Sequence, residues 1–137
     1  MGWLVIATTP TVCVTGASGY IGSRVARAID NAGYEVYPVD DFSNGSVTEI
    51  DDIPVKKVDI TNRSAVRSVF DRVNAVCHLA AISGVEECSA NPERAFDVNV
   101  GGTENVAWVC REQELPLVFA GSVAVFGAPT EFPITAD

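Results

Sequence analysis

Glycines recur at every third residue at Gly16, Gly19 and Gly22, inside the stretch VTGASGYIGSRVARAI that runs from Val14 to Ile29. Bare backbone at that spacing can do one kind of chemistry well, which is to hold an anion. Gly16 permits a tight turn, Gly19 lets a pyrophosphate approach where a side chain would clash, and Gly22 lets a helix close on the strand before it. A helix starting there offers free N–H groups and the positive end of its dipole to the phosphates. The spacing is GxxGxxG rather than GxGxxG, and a structural turn is the bland alternative. A second residue narrows the ligand. Asp40 follows Gly22 by eighteen positions, at the end of the apolar run YEVYPVD. A carboxylate there accepts both ribose hydroxyls of an adenosine and repels a 2′-phosphate. No arginine follows in DDFSNGS, so the pattern points to NAD rather than NADP. An ordinary turn aspartate is the alternative.

Such a cradle works only with a strand before it and a helix after it. TVCVT (11–15) reads as a buried strand. YIGSRVARAIDNAG (20–33) reads as a helix with Ile21, Val25, Ala28 and Ile29 on one face and Gly33 as its stop. YEVYPVD (34–40) is a second strand, weakened by Pro38, and DFSNGS (41–46) a loop. VKKVDI (55–60) is a third strand, NRSAVRSVF (62–70) a short amphipathic helix and NAVCHLAA (74–81) a fourth strand. NPERAFDVNVGGTENVAWVCREQ (91–113) reads as one long helix with Asn91 as N-cap and Pro92 in its first turn, and LPLVFAGS (115–122) as a fifth strand. Continuous apolar strands alternating with helices predict a parallel sheet covered on both faces. The expectation is an α/β, Rossmann-like doubly wound sheet in the order 3-2-1-4-5 over residues 11–137, with residues 1–10 as an unassigned N-terminal extension.

Composition excludes several other classes. Eighteen acidic against nine basic residues give a net charge of −9, a field that repels nucleic acid and anionic membranes. The opening MGWLVIATTP has no basic region, and its apolar run is too short for a signal peptide or a membrane span. Cys13, Cys77, Cys88 and Cys110 form no CxxC or zinc-like spacing, and His78 is the only histidine. The expectation is a cytoplasmic protein with structural cysteines and no metal site.

Taken together, TGASGYIG (15–22), VDDFSNG (39–45), VDI (58–60), HLAA (78–81), NVGGT (99–103) and GSVAVFG (121–127) resemble the extended short-chain dehydrogenases/reductases of the NAD-dependent sugar-nucleotide epimerase/dehydratase type. FPITAD (132–137) is similar to the PITED stretch of UDP-glucose/galactose 4-epimerase-like members. The resemblance implies an NAD-binding set of Gly16, Ser18, Gly19, Tyr20, Ile21, Gly22, Asp40, Asp41, Ser43, Asn44, Asp59, Ile60, Leu79, Ala80, Ala81 and Asn99. In it Asp59 takes the exocyclic amine of adenine and Ile60 packs on the ring face. Leu79, Ala80 and Ala81 line the path of the pyrophosphate and nicotinamide ribose, and Asn99 helps hold the site together. Ser122 falls where the family keeps its catalytic Ser/Thr, whose hydroxyl hydrogen-bonds the substrate oxygen. Phe126 replaces the usual tyrosine. Val123 and Ala124 stand where sugar dehydratases carry an Asp-Glu pair, which favours the epimerase type.

The family's proton-transfer tyrosine belongs to a YxxxK motif on the following helix, and this sequence contains no YxxxK. The resemblance places that motif and the sugar-nucleotide domain beyond Asp137. The expectation is the NAD-binding portion of a nucleotide-sugar epimerase, inactive alone, whose longer parent pairs as a homodimer through the 91–113 helix. A stand-alone NAD-binding module and a fragment of an NAD-dependent reductase of the same family are the alternatives.

Overall fold

Thr11–Thr15 (β1) is buried over its last three residues and forms the centre of a five-stranded sheet. The computed structural model describes residues 8–122, 125, 127 and 128. From β1 the chain turns into Tyr20–Asn31 (α1) and returns through Glu35–Asp40 (β2), which pairs parallel to β1 with Val14 opposite Pro38. A short antiparallel hairpin follows, Glu49–Ile50 (β3) and Ile53–Pro54 (β4). Its turn residues Asp51 and Asp52 both have positive φ, 44° and 68°, as a two-residue hairpin turn requires. Lys56–Lys57 (β5) then pairs parallel to the end of β2.

The chain next crosses the sheet through Arg63–Phe70 (α2) to Ala75–His78 (β6), on the other side of β1. Val85–Ala90 (α3) and Pro92–Phe96 (α4) follow, then a π-helical segment at Asp97–Gly102 and Thr103–Glu112 (α5). Leu117–Phe119 (β7) closes the far side, parallel to β6. The order β5-β2-β1-β6-β7 is the expected 3-2-1-4-5, all parallel.

Two apolar clusters flank the sheet, because successive residues of a strand face opposite sides. Val14 and Val36 pack with Ala17, Ala26 of α1, and Ile50 of the hairpin. Cys13, Val39 and Val76 pack on the other face against Val66, Val69 and Phe70 of α2 and Val106, Val109 and Cys110 of α5. Burial pushes the thiol pKa of Cys13 and Cys77 up, and that of Cys110 to about 11. These thiols pack as small apolar groups.

Pro38 is tolerated inside β2 for a readable reason. The Val39 carbonyl accepts from Ala17 N–H on the β1 side, and the Asp40 carbonyl accepts from Val58 N–H on the β5 side. Alternation turns the Pro38 nitrogen toward β5, whose pairing begins only at Val39, so its missing N–H costs no ladder bond.

Several elements differ from expectation. The third strand shrinks from 55–60 to Lys56–Lys57, because Asp59 turns the chain by accepting from both Thr61 N–H (2.9 Å) and Thr61 Oγ1 (2.8 Å). The long helix begins as expected, with Asn91 Oδ1 capping Arg94 N–H at 3.1 Å. It changes to π-helical hydrogen bonding at Asp97–Gly102, where two adjacent glycines give the α turn its least support. Helix α3 and the hairpin carry no strong sequence periodicity and were not expected.

Candidate cofactor site

The site lies at the carboxyl ends of β1, β2 and β6, where the strand order reverses and open α/β sheets form their ligand crevice. A cavity of about 420 Å³ opens there, within the range of small-molecule sites. Gly16, Gly19, Tyr20, Ile21 and Gly22 line it from the first turn, and Asp40, Asp41, Ser43 and Asn44 from the end of β2. Ile60, Leu79, Ala80 and Ala81 complete the floor and far wall. Thirteen of the sixteen residues expected around the cofactor therefore share one cavity.

The glycine turn is built by contact as well as by backbone freedom. Gly16 has φ +72°, and a Cβ on it would lie 2.7 Å from the Ala80 nitrogen. A Cβ on Gly22 would lie 1.9 Å from the Gly16 carbonyl oxygen. The turn is therefore pressed against both the exit of β6 and the first turn of α1. Gly19 differs, since a Cβ there would meet only the Gly16 carbonyl oxygen, at 3.3 Å. Among the described residues no side chain caps α1, so the amides of its first turn remain for a ligand. Together these features fit an NAD pyrophosphate: a glycine whose missing side chain leaves room in the cavity, and a bare helix start beside it. The Arg24 guanidinium stacks 3.6 Å over the exposed Tyr20 ring and donates to the Tyr20 carbonyl at 2.9 Å, which adds a cation near this end.

Asp40 organises the loops around it. Its Oδ2 accepts from Ser18 N–H at 3.0 Å and its Oδ1 from Phe42 N–H at 2.8 Å. Phe42 is held at φ +62°, a conformation that a bulky residue adopts only when its surroundings impose it. Asp41 accepts from Ser43 N–H (2.9 Å) and Ser43 Oγ (2.6 Å). Ser18 is turned away from the cavity. It is 2% exposed, and its hydroxyl donates to the Val47 carbonyl at 2.7 Å. It ties the glycine turn to the β2–β3 connection.

Asp59 lies beside the cavity rather than on its wall. Burial works to raise its pKa, but the Thr61 backbone N–H, the Thr61 hydroxyl and the Arg94 guanidinium together hold it below the usual carboxylate value. Oδ1 is taken by Thr61, and Oδ2 lies 3.9 Å from Arg94 Nη2.

Asn99 acts on backbone. Its Oδ1 accepts from Ile82 N–H and its Nδ2 donates to the Ile82 carbonyl, both at 2.8 Å. It clamps both polar groups of one residue just past the small-residue exit of β6. The same exit is held from below by Thr15, which is 1% exposed. Thr15 Oγ1 accepts from Leu79 N–H (3.1 Å) and Ala80 N–H (3.2 Å). Its own proton then goes to His78 Nδ1, 2.6 Å away. Nδ1 being the acceptor, the ring proton sits on Nε2 and is donated to Thr103 Oγ1 at 3.0 Å. Burial lowers the His78 pKa to about 4, so the ring is neutral at pH 7.

Ser122 is exposed beyond β7, and its carbonyl accepts from Val125 N–H at 3.3 Å. It does not line the cavity. Val123, Ala124, Phe126 and the 132–137 stretch lie outside the described residues. Sequence reasoning missed Glu87, Ser83, Ile82 and Gly45 on the cavity wall, and Arg94 beside it. Only Gly45 carried a signal, as the glycine of the DFSNGS loop; in the fold a Cβ there would fall 2.4 Å from the Ser18 Cβ.

Known proteins resemble this chain over nearly its whole length. The chain is 33% identical to a UDP-glucose 4-epimerase of Bacillus subtilis over 137 residues, covering 92% of the chain and 40% of the relative. It is 34% identical to a UDP-glucose 4-epimerase of Drosophila melanogaster, covering 93% of the chain and 41% of the relative. Among solved structures, the UDP-glucose 4-epimerase of Bifidobacterium longum in complex with NAD+ and UDP matches with a TM-score of 0.81 and 30% identity. That match covers 93% of this chain and 41% of the other. The chain thus spans about 40% of the length of these relatives. Residues 12–137 match the model of the NAD dependent epimerase/dehydratase family, and the chain belongs to that family.

Proposed function

We propose that this chain is the NAD-binding portion of a nucleotide-sugar epimerase that acts by transient oxidation at C4 of a UDP-sugar or a similar substrate. The observation that carries this reading is the shared cavity. An uncapped helix start, a glycine turn pressed to contact, Asp40 and the small exit of β6 all face one groove. Bound there, NAD would supply a reversible hydride acceptor for the sugar. The chain's own residues bind and orient. The glycine turn and the first amides of α1 receive the pyrophosphate. Asp40 accepts the adenosine ribose hydroxyls, Ile60 packs on adenine, and Asp59 takes its amine. Leu79, Ala80 and Ala81 leave room for the nicotinamide ribose. Ser122 hydrogen-bonds the substrate oxygen whose proton is exchanged.

The sequence has no YxxxK, so the chain by itself turns over no sugar in this reading. Its setting is cytoplasmic, which four free cysteines support. Among the described residues no helix is long and apolar enough to cross a membrane. Two copies of the parent pair through α4, the π-helical segment and α5, where Phe96, Val100 and Trp108 are exposed.

The test is calorimetric titration of the folded chain with NAD and NADP. The expected result is binding of NAD in preference to NADP, with Asp40→Asn weakening NAD and narrowing the preference. Absence of binding at millimolar NAD, with a native circular-dichroism spectrum, refutes the reading. Preference for NADP by the unmodified chain refutes the role of Asp40.

A further inference from the structure

Helix α3 is attached to the molecule in an unusual way. None of its six residues is buried, and Val85 is 81% exposed. Among the described residues, only Cys88 of this helix packs against a core cluster, with its thiol donating to the Ile82 carbonyl at 3.4 Å. Yet α3 forms one wall of the cofactor groove through Glu87. Its side-chain contacts with the opposite wall are polar. Asn44 Nδ2 donates to both carboxylate oxygens of Glu87, at 2.7 and 2.8 Å. One helix further on, Arg94 Nη2 donates to Asp41 Oδ2 at 3.2 Å and lies 3.9 Å from Asp59 Oδ2.

These two contacts join segments 43 and 53 residues apart in sequence, across the groove rather than along it. The Arg94–Asp41 pair is partly exposed, with side chains 38% and 25% accessible. Polar pairs at such exposure are weak and open readily. A segment with little buried apolar surface opens independently of the rest of the fold. We infer that α3 is a flap over the cofactor groove, latched by Glu87–Asn44 and by Arg94–Asp41/Asp59, and that opening of these latches sets the rate of NAD exchange. The inference rests on the proposal that the groove holds NAD. Glu87 and Arg94 act as positioning residues that hold the two walls together.

The experiment is stopped-flow mixing of the chain with NADH, followed by nicotinamide fluorescence, and chase of the complex with excess NAD. Variants are Glu87→Ala, Arg94→Gln, their combination, and Arg94→Lys, each with its thermal midpoint. A latch raises association and dissociation rates together. The expectation is about threefold for each single variant and about tenfold for the double, with affinity changed much less. Arg94→Lys restores most of the wild-type rate. Added salt speeds exchange in the wild type but not in Arg94→Gln. Unchanged rates in the double variant, or a rise in dissociation alone, overturn the flap while leaving NAD binding intact. Failure of the wild-type chain to bind NADH overturns both.

Discussion

Thr15→Val removes one oxygen that meets three partners beneath the groove. The side chain keeps its shape, so the change isolates the hydroxyl. Three partners lose that oxygen: Leu79 N–H, Ala80 N–H and His78 Nδ1. Leu79 N–H also reaches the Thr15 carbonyl at 3.3 Å and keeps that bond. Ala80 N–H and the His78 ring nitrogen lose their Thr15 partner, at a site where Thr15 and His78 are each 1% exposed. An unsatisfied buried polar group costs about 1–3 kcal/mol, so Thr15→Val is expected to lose about 2–4 kcal/mol. For a chain of this size that lowers the thermal midpoint by roughly 10–15 °C. Thr15→Ser keeps all three bonds and gives up one buried methyl, about 1 kcal/mol. Urea denaturation followed by circular dichroism separates the two, read as a change of midpoint at constant slope. The exit of β6 loosens in the valine variant only, so NAD affinity is expected to fall there and not in the serine. Equal stability of the two variants refutes the argument that the hydroxyl bridges β1, His78 and the β6 exit.

The buried neutral His78 gives a pH dependence of definite sign. Its pKa falls from 6.5 to about 4 on folding, so between those values the unfolded chain holds a proton that the folded chain refuses. Stability therefore falls as pH drops from 6.5 and levels off below about 4, by about 3 kcal/mol in all. Urea midpoints measured from pH 7 to pH 4 check this, and His78→Leu removes the His78 share of the slope. Adjacent glycines of the π-helical segment are expected to respond oppositely. Among the described residues Gly101→Ala meets no atom within 4 Å, and it stabilises by about 0.5–1 kcal/mol. Gly102→Ala places its Cβ 2.6 Å from Ile60 Cδ1 and destabilises by about 1–3 kcal/mol. Thermal melts of the two variants decide the point, and the same sign for both would contradict the packing described.

The glycine turn, Asp40 and the small-residue exit HLAA were legible because each is a local requirement. A bare backbone, an acid at a strand end and residues too small to block a groove leave their mark at fixed positions in the chain. The strand order followed from alternating apolar runs and helices, since parallel strands buried on both faces permit few other arrangements. Boundaries were less legible where side chains compete with backbone. Asp59 ends the third strand by bonding Thr61, and Gly101–Gly102 lie in the π-helical stretch of a helix that periodicity reads as continuous.

What the amino-acid sequence determined by itself is the architecture and thirteen residues that the fold brings to one groove. Tertiary structure alone decided how those residues are held. Ser18 faces the β2–β3 connection, Asn99 grips the Ile82 backbone, Thr15 and His78 share one proton network with Thr103, and α3 is fastened by Glu87 and Arg94. The physical reason is range. Turn chemistry and burial periodicity act between neighbours in the chain, whereas these contacts join groups 17 to 63 residues apart, and only the folded sheet brings such groups within bonding distance.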